Sequence, residues 1–206
     1  CTGPGSANVV GGSFAAIKLV GKRVDDMIVK NPVAMKCAFG ENPKRCYGQG
    51  MKKSPTTRMA TAALLRELLF KTKRYVQDKA DGKNPGFDMK LESMAPVFEQ
   101  GLPLKCHAHR ADDILTSIRI AKEFRTAPVM VVTNTVEGSG FDSDLARTIL
   151  TDSSVRSTLI SNIVSTARSK GYSGVDIDFE YIYPSNRTDY NNFLTELKAA
   201  LTPYNL

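Results

Sequence analysis

Three carboxylates stand at every second position in Gly174-Val175-Asp176-Ile177-Asp178-Phe179-Glu180. A β-strand sends alternate side chains to one face. Asp176, Asp178 and Glu180 are therefore predicted to project together, with Val175, Ile177 and Phe179 turned into packing. Acids crowded on one face repel and desolvate one another, which raises the proton affinity of at least one of them. A carboxyl group tuned in this way is a general acid near neutral pH. The alternative is a strand end whose acids cap loops or hold a cation. Carboxylates clustered on one strand face in this way favour the catalytic reading.

Gly174 to Glu180 resembles the Asp-Gly-x-Asp-x-Asp-x-Glu strand of family-18 glycoside hydrolases, the chitinase-like enzymes, in their spore-germination, peptidoglycan-directed type. The flanks agree: residues 128–134 (Pro-Val-Met-Val-Val-Thr-Asn) look like the preceding barrel strand. Tyr181-Ile182-Tyr183-Pro184, with Arg187, Tyr190, Phe193 and Leu194, looks like the segment after the catalytic strand. The resemblance covers about residues 127–206, and the family's leading Asp is Ser173 here. It implies substrate-assisted, retaining hydrolysis without a cofactor, an exception to the two-carboxylate scheme. Glu180 would protonate the glycosidic oxygen. Asp178 would orient the substrate acetamido group and stabilise the oxazolinium ion, with Asp176 tuning Asp178 from beneath. Tyr181 would contact substrate. Asn134, at its strand end, is either a sugar contact or a cap.

Composition separates the chain in two. Residues 1–125 carry 22 Lys and Arg against 12 Asp and Glu, a net +10, whereas residues 126–206 carry 6 against 9, a net −3. All four cysteines and both histidines lie in the first part. Such asymmetry points to two units of different origin. A complete eight-unit barrel needs about 250 residues, so neither unit is expected to be a whole one. Cys1, Cys37, Cys46 and Cys106 lack paired metal-finger spacing, and no secretory leader is seen, which makes free thiols and a cytoplasmic location the expectation. The chain begins at Cys1 rather than Met, inside a motif, and so reads as part of a longer protein. No apolar run approaches the ~20 residues that span a membrane. The basic stretch 41–57 has few aromatics interleaved and reads as a solvated loop, so neither a membrane nor a nucleic-acid partner is expected.

In the first part, residues 2–12 form a glycine-rich loop without phosphate-loop spacing. Residues 27–29 and 33–39 are short strand candidates. Ala62, Leu65, Leu69 and Val76 recur at helical spacing and predict a helix from Arg58 to Lys79, ended by Asp81-Gly82. A helix over about 88–99, a strand over 102–109 and a helix capped near Asp112, carrying Ile114, Leu115, Ile118 and Ala121, should follow.

His107 and His109, two apart on that strand, would face one side at its C-terminal end. Imidazoles there suit a divalent metal such as zinc, although two nitrogens alone are not a site. Residues 103–115 (Pro-Leu-Lys-Cys-His-Ala-His-Arg-Ala-Asp-Asp-Ile-Leu) resemble the amidohydrolase superfamily in its imidazolonepropionase-related branch. Gly3 to Asn8 and Ala38 to Arg45 match the same branch. This resemblance covers about residues 1–125. It implies that His107 is a zinc ligand with His109 nearby, and that Lys36 is a weak candidate for a bridging lysine. The family's early His-x-His strand, later histidine and final catalytic aspartate have no counterpart here.

The second part should contain a short helix capped at Asp142-Ser143-Asp144 and a longer one capped at Asp152-Ser153 and stopped at Gly171. A last helix should open at Thr188 or Asp189 with Tyr190, Phe193, Leu194, Leu197 and Leu201 inward. Both parent families are built of βα repeats with short connections. The fold expected is therefore α/β, with partial (βα) TIM-barrel-like units. Two incomplete barrel segments, 1–125 and 126–206, would join near residues 124–128. The function expected first is a glycosidase whose glycan substrate contains N-acetylglucosamine, as in chitin or peptidoglycan, and weak or inactive as this chain. The alternatives are a metal-dependent amidohydrolase acting on C–N bonds and a non-catalytic chimera.

Overall fold

The computed structural model describes residues 1–126, 128–136 and 140–206, so Ala127, inside the expected junction, lies outside the described residues. The chain divides into two units, Cys1–Pro128 and Val129–Leu206. In the first, β1 (Val10–Ile17) starts within the glycine-rich stretch and returns through α1 (Val24–Met27) into β2 (Ile28–Ala38). The two strand candidates at 27–29 and 33–39 are thus one long strand. The pairing of β1 with β2 is antiparallel. Next come α2 (Glu41–Lys44), a wide helical turn over Arg45–Gly50, and α3 (Arg58–Ala80). Thr57 caps α3 by accepting from the Ala60 amide at 3.0 Å.

The helix expected over 88–99 is two short ones, α4 (Met89–Met94) and α5 (Pro96–Glu99). Pro96 has no N–H to continue the ladder, so the break falls beside it. The strand expected over 102–109 is shorter: β3 (Leu104–His107) pairs parallel with β2, Cys37 opposite Cys106 and Ala38 opposite His107. The next helix, α6 (Ala111–Phe124), buries Asp113, Ile120, Ala121 and Phe124. Ile114 and Leu115, expected on the inward stripe, are 43% and 59% exposed. The buried Asp113 pairs with Arg58 at 3.1 Å, which turns the 113/120/124 face inward instead. The unit's core joins Met35, Cys37 and Phe39 to Leu65 and Leu69 of α3 and to Ile120 and Phe124 of α6. This is a βαβ arrangement of parallel strands with its helices on one face.

The second unit opens with β4 (Val129–Thr133) and the small ribbon β5 (Thr135–Val136) with β6 (Gly140–Phe141). Then follow α7 (Ser143–Thr151), α8 (Ser153–Lys170), β7 (Gly174–Asp178) and α9 (Arg187–Leu201). Asp142 and Asp152 cap α7 and α8 as their sequence positions predict, each carboxylate accepting from two backbone amides. Gly171 ends α8 in the left-handed conformation, φ 72°. β4 and β7 pair in parallel from Val129 opposite Gly174 to Thr133 opposite Asp178. Leu150, Ile160, Ile163, Phe193, Leu197 and Leu201 form the core beneath them.

The chain is a mixed α/β protein. Among the described residues its sheets have three, two and two strands, and none closes into a barrel. No described helix is long and apolar enough to cross a membrane.

Candidate functional site

The alternation of residues 174–180 is realised in space. Val175, Ile177 and Phe179 pack against the second core, and Phe179 stacks on Phe193 with ring centroids 5.6 Å apart. Asp176 is half-buried, while Asp178 and Glu180 are exposed. The β7 ladder ends at Asp178, so Glu180 lies two residues past the last backbone pair. Directly after it, Tyr181 takes a left-handed φ of 55°, a conformation that a bulky L-residue keeps only when its surroundings hold it.

Asn134 supplies part of that hold. It is 0% exposed, and its amide is fully engaged. The Oδ1 accepts from the Glu180 N–H at 2.9 Å, and Nδ2 donates to the carbonyls of Glu180 and Asp142, each at 2.9 Å. Of the two roles expected for Asn134, sugar contact or cap, this is the backbone-bonding one. Ser143 Oγ donates to the Tyr181 carbonyl at 2.7 Å, and the Tyr183 hydroxyl donates to Asp144 at 3.2 Å. The loop after β4 and the segment after β7 are thus tied together. Tyr181 is 74% exposed, its ring meeting that of Phe141 edge-on with centroids 6.3 Å apart.

Tyr190 adds a group that sequence reasoning assigned to the core alone. Its ring stacks near Phe179 and Phe193. Burial raises its phenol pKa above the usual value, and the charges of Asp176 and Asp178 raise it further. The hydroxyl stays protonated at neutral pH, within electrostatic reach of the two aspartates. The signal was a tyrosine in an otherwise Phe and Leu stripe, since a buried phenol needs a polar partner. Carboxyl groups, a protonated phenol and an exposed aromatic ring at one strand end are suited to bind a polar ligand and deliver a proton to it.

The first unit brings its two histidines together by another route. His107 is the last residue of β3, and His109 reaches it from beyond the strand, Nε2 to Nε2 2.8 Å. Asn42 Nδ2 lies 3.0 Å from His107 Nε2 and donates to Ser6 Oγ at 2.6 Å. Burial, with the charges of Lys36 and His109, pushes His107 down to about 4. It is therefore neutral at pH 7, and its Nε2 can accept from Asn42. The turn that carries Asn42 is anchored by Arg58, which pairs with Glu41 and with the buried Asp113. Gly40 takes φ 68°, and a Cβ there would run into the Asp113 carboxylate, so this position requires glycine.

A hydrolytic zinc site needs three protein ligands. Among the described residues no group of three or more His, Cys, Asp or Glu could hold a metal. The His107–His109 pair therefore does not by itself fit zinc. Lys36 registers opposite Lys105, and its amine lies 5.7 Å from the centre of the Phe14 ring. The four cysteines are free thiols.

Residues 113–205 match the family model Glycosyl hydrolases family 18. The match begins at Asp113, inside α6 and ahead of the junction expected near residue 126. The cortical fragment-lytic enzyme of Bacillus cereus is 38% identical over 82 residues, 40% of this chain and 19% of that protein. The enzyme of the same name from Bacillus subtilis (strain 168) is 34% identical over 84 residues, 41% of this chain and 20% of that protein. The chain thus spans about a fifth of the length of these curated relatives. An amidohydrolase from Thermotoga maritima MSB8 has a similar structure, TM-score 0.60 and 32% identity, over 98% of this chain and 55% of that one. Likeness to both families is therefore found in one chain. The second part is family-18 glycosyl hydrolase-like, and the structural likeness to an amidohydrolase extends across both units.

Proposed function

We propose that the site at the end of β7 is that of a glycosidase acting on N-acetylglucosamine-containing glycans such as peptidoglycan or chitin, by substrate-assisted hydrolysis with retention. The observation that carries this reading is the sorting of residues 175–180: Val175, Ile177 and Phe179 pack on the core, while Asp178 and Glu180 are exposed and Asp176 is half-buried. Glu180, exposed just past the end of the strand, donates the proton to the leaving oxygen. Asp178 faces the acetamido group, whose carbonyl oxygen attacks the anomeric carbon, and offsets the positive charge of the oxazolinium ion. Asp176, half-buried two residues earlier on the strand, keeps Asp178 oriented, and the phenol of Tyr190 lies within electrostatic reach of this pair. The exposed Tyr181 ring offers a face to sugar.

The chain is read as two partial barrels, amidohydrolase-like over 1–125 and family-18-like over 126–206. It has no Trp to stack on sugar, so turnover is expected to be slow. The test is to incubate the chain with chito-oligosaccharides and cortex-type muropeptides and follow the anomer released by NMR. Initial release of the β-anomer supports the reading; initial release of the α-anomer contradicts the substrate-assisted route.

A second reading, a metal-dependent amidohydrolase acting on C–N bonds, is favoured by one observation, the structural likeness to the Thermotoga maritima amidohydrolase. Among the described residues no third His, Cys, Asp or Glu joins His107 and His109, which weighs against it.

A further inference from the structure

We propose that Asn134 is a positioning residue for Glu180, its side-chain amide extending the β4–β7 ladder past the last backbone pair so that the acid is held in one direction. The inference rests on the glycosidase reading for its consequence in catalysis, but its structural basis stands apart. Backbone pairing ends at Thr133 opposite Asp178. Glu180, two residues on, would otherwise be tethered only by its neighbours in sequence. Asn134 meets both of its backbone groups at once, accepting from the N–H and donating to the carbonyl, each at 2.9 Å. That is the pattern of a backbone amide in a ladder, supplied by a side chain.

The second proton of Nδ2 goes to the Asp142 carbonyl, and the Asp142 N–H returns a 2.8 Å bond to the Asn134 carbonyl. The clamp is therefore fixed to the residue that caps α7. Asparagine suits the position because it offers two donors and an acceptor on a short, planar stem. Aspartate lacks the donors, serine cannot span the peptide, and a flipped amide would set its oxygen against two carbonyls. Complete burial rules out replacement of these bonds by water without rearrangement. The backbone held this way continues into a left-handed Tyr181, whose carbonyl accepts from Ser143 Oγ at 2.7 Å.

The experiment compares the unmutated chain with Asn134→Ala by NMR, reading amide exchange at Glu180 and the side-chain χ1 couplings of Glu180. The expected result is exchange at Glu180 faster by roughly tenfold or more, the scale of one lost buried hydrogen bond, with χ1 averaging over rotamers while the β4–β7 ladder amides stay protected. In the hydrolysis assay kcat should fall and KM change little. Should Asn134→Ala fail to fold, the isosteric Asn134→Asp replaces it. At neutral pH its carboxylate opposes two carbonyls and opens the clamp. On acidification the protonated carboxyl regains a donor, and protection at Glu180 relative to the ladder should return. If Glu180→Gln leaves hydrolysis intact, the glycosidase reading falls while the clamp stands. Unchanged exchange and a single unchanged Glu180 rotamer in Asn134→Ala, or an Asn134→Asp clamp indifferent to pH, would overturn the positioning role whatever the activity.

Discussion

Glu180 and His107 show how differently this chain treats its ionisable groups. Glu180 is exposed and owes its direction to backbone bonds made by Asn134, whereas His107 is half-buried and its charge state is set by its surroundings. The folded chain holds the His107 imidazole at about 4, below the ~6.5 of an unfolded chain. Protonation therefore favours the unfolded state. The contribution of this group to stability is full above about pH 6.5 and is lost as pH falls toward 4. Urea unfolding at a series of pH values should show a shallower loss between pH 6.5 and 4 in His107→Gln than in the unmutated chain. Equal slopes in the two would mean that the imidazole is not held neutral. Tyr190 is shifted upward by burial and by Asp176 and Asp178, and so keeps its proton throughout that range.

Each element depends on a few identifiable residues. Asp152 links α7 to α8, its carboxylate accepting from Ser154 and Val155 at 2.8 and 3.1 Å. Asp152→Ala should cost about 1 kcal/mol of the second unit's stability, the usual worth of an N-cap. Chemical unfolding followed by far-UV circular dichroism checks this, and a loss below about 0.3 kcal/mol would contradict it. The Asp142 and Asp152 caps, helix α3 and the apolar side of β7 were legible in the sequence because each is encoded within a few neighbouring residues: a capping aspartate, a repeat of Leu65 and Leu69, an alternation of acid and apolar. The helix expected to be capped near Asp112 instead begins after Arg110 without a side-chain cap. What was not legible depends on partners far along the chain. The inward face of α6 is chosen by Arg58, 55 residues from Asp113, and the role of Asn134 by a residue 46 positions away. His109 reaches His107 by leaving the strand, which period-two spacing does not describe. The phenol of Tyr190 was hidden in a stripe that also serves the core.

At the scale of the molecule, likeness to two hydrolase families meets in one chain whose two units have separate cores. Among the described residues the His107–His109 pair is joined by no third His, Cys, Asp or Glu, and this sets expectations for metal. With two imidazoles where a hydrolytic zinc needs three ligands, zinc should bind weakly. Metal analysis after dialysis should find well under one zinc per chain. One tightly retained zinc, lost in His107→Ala, would contradict this and favour the amidohydrolase reading.

The central claim is that chemistry at the end of β7 runs through Glu180. Its most direct test is hydrolysis of an N-acetylglucosamine glycoside by the unmutated chain, Glu180→Gln, Asp178→Asn and Asp176→Asn, each checked for native circular dichroism. An amide cannot give a proton to the leaving oxygen, so Glu180→Gln should lower the rate by about 10²–10⁴-fold, the usual share of a general acid. Asp178→Asn should also be severe, and Asp176→Asn milder. Hydrolysis that proceeds at an unchanged rate in Glu180→Gln would contradict the account.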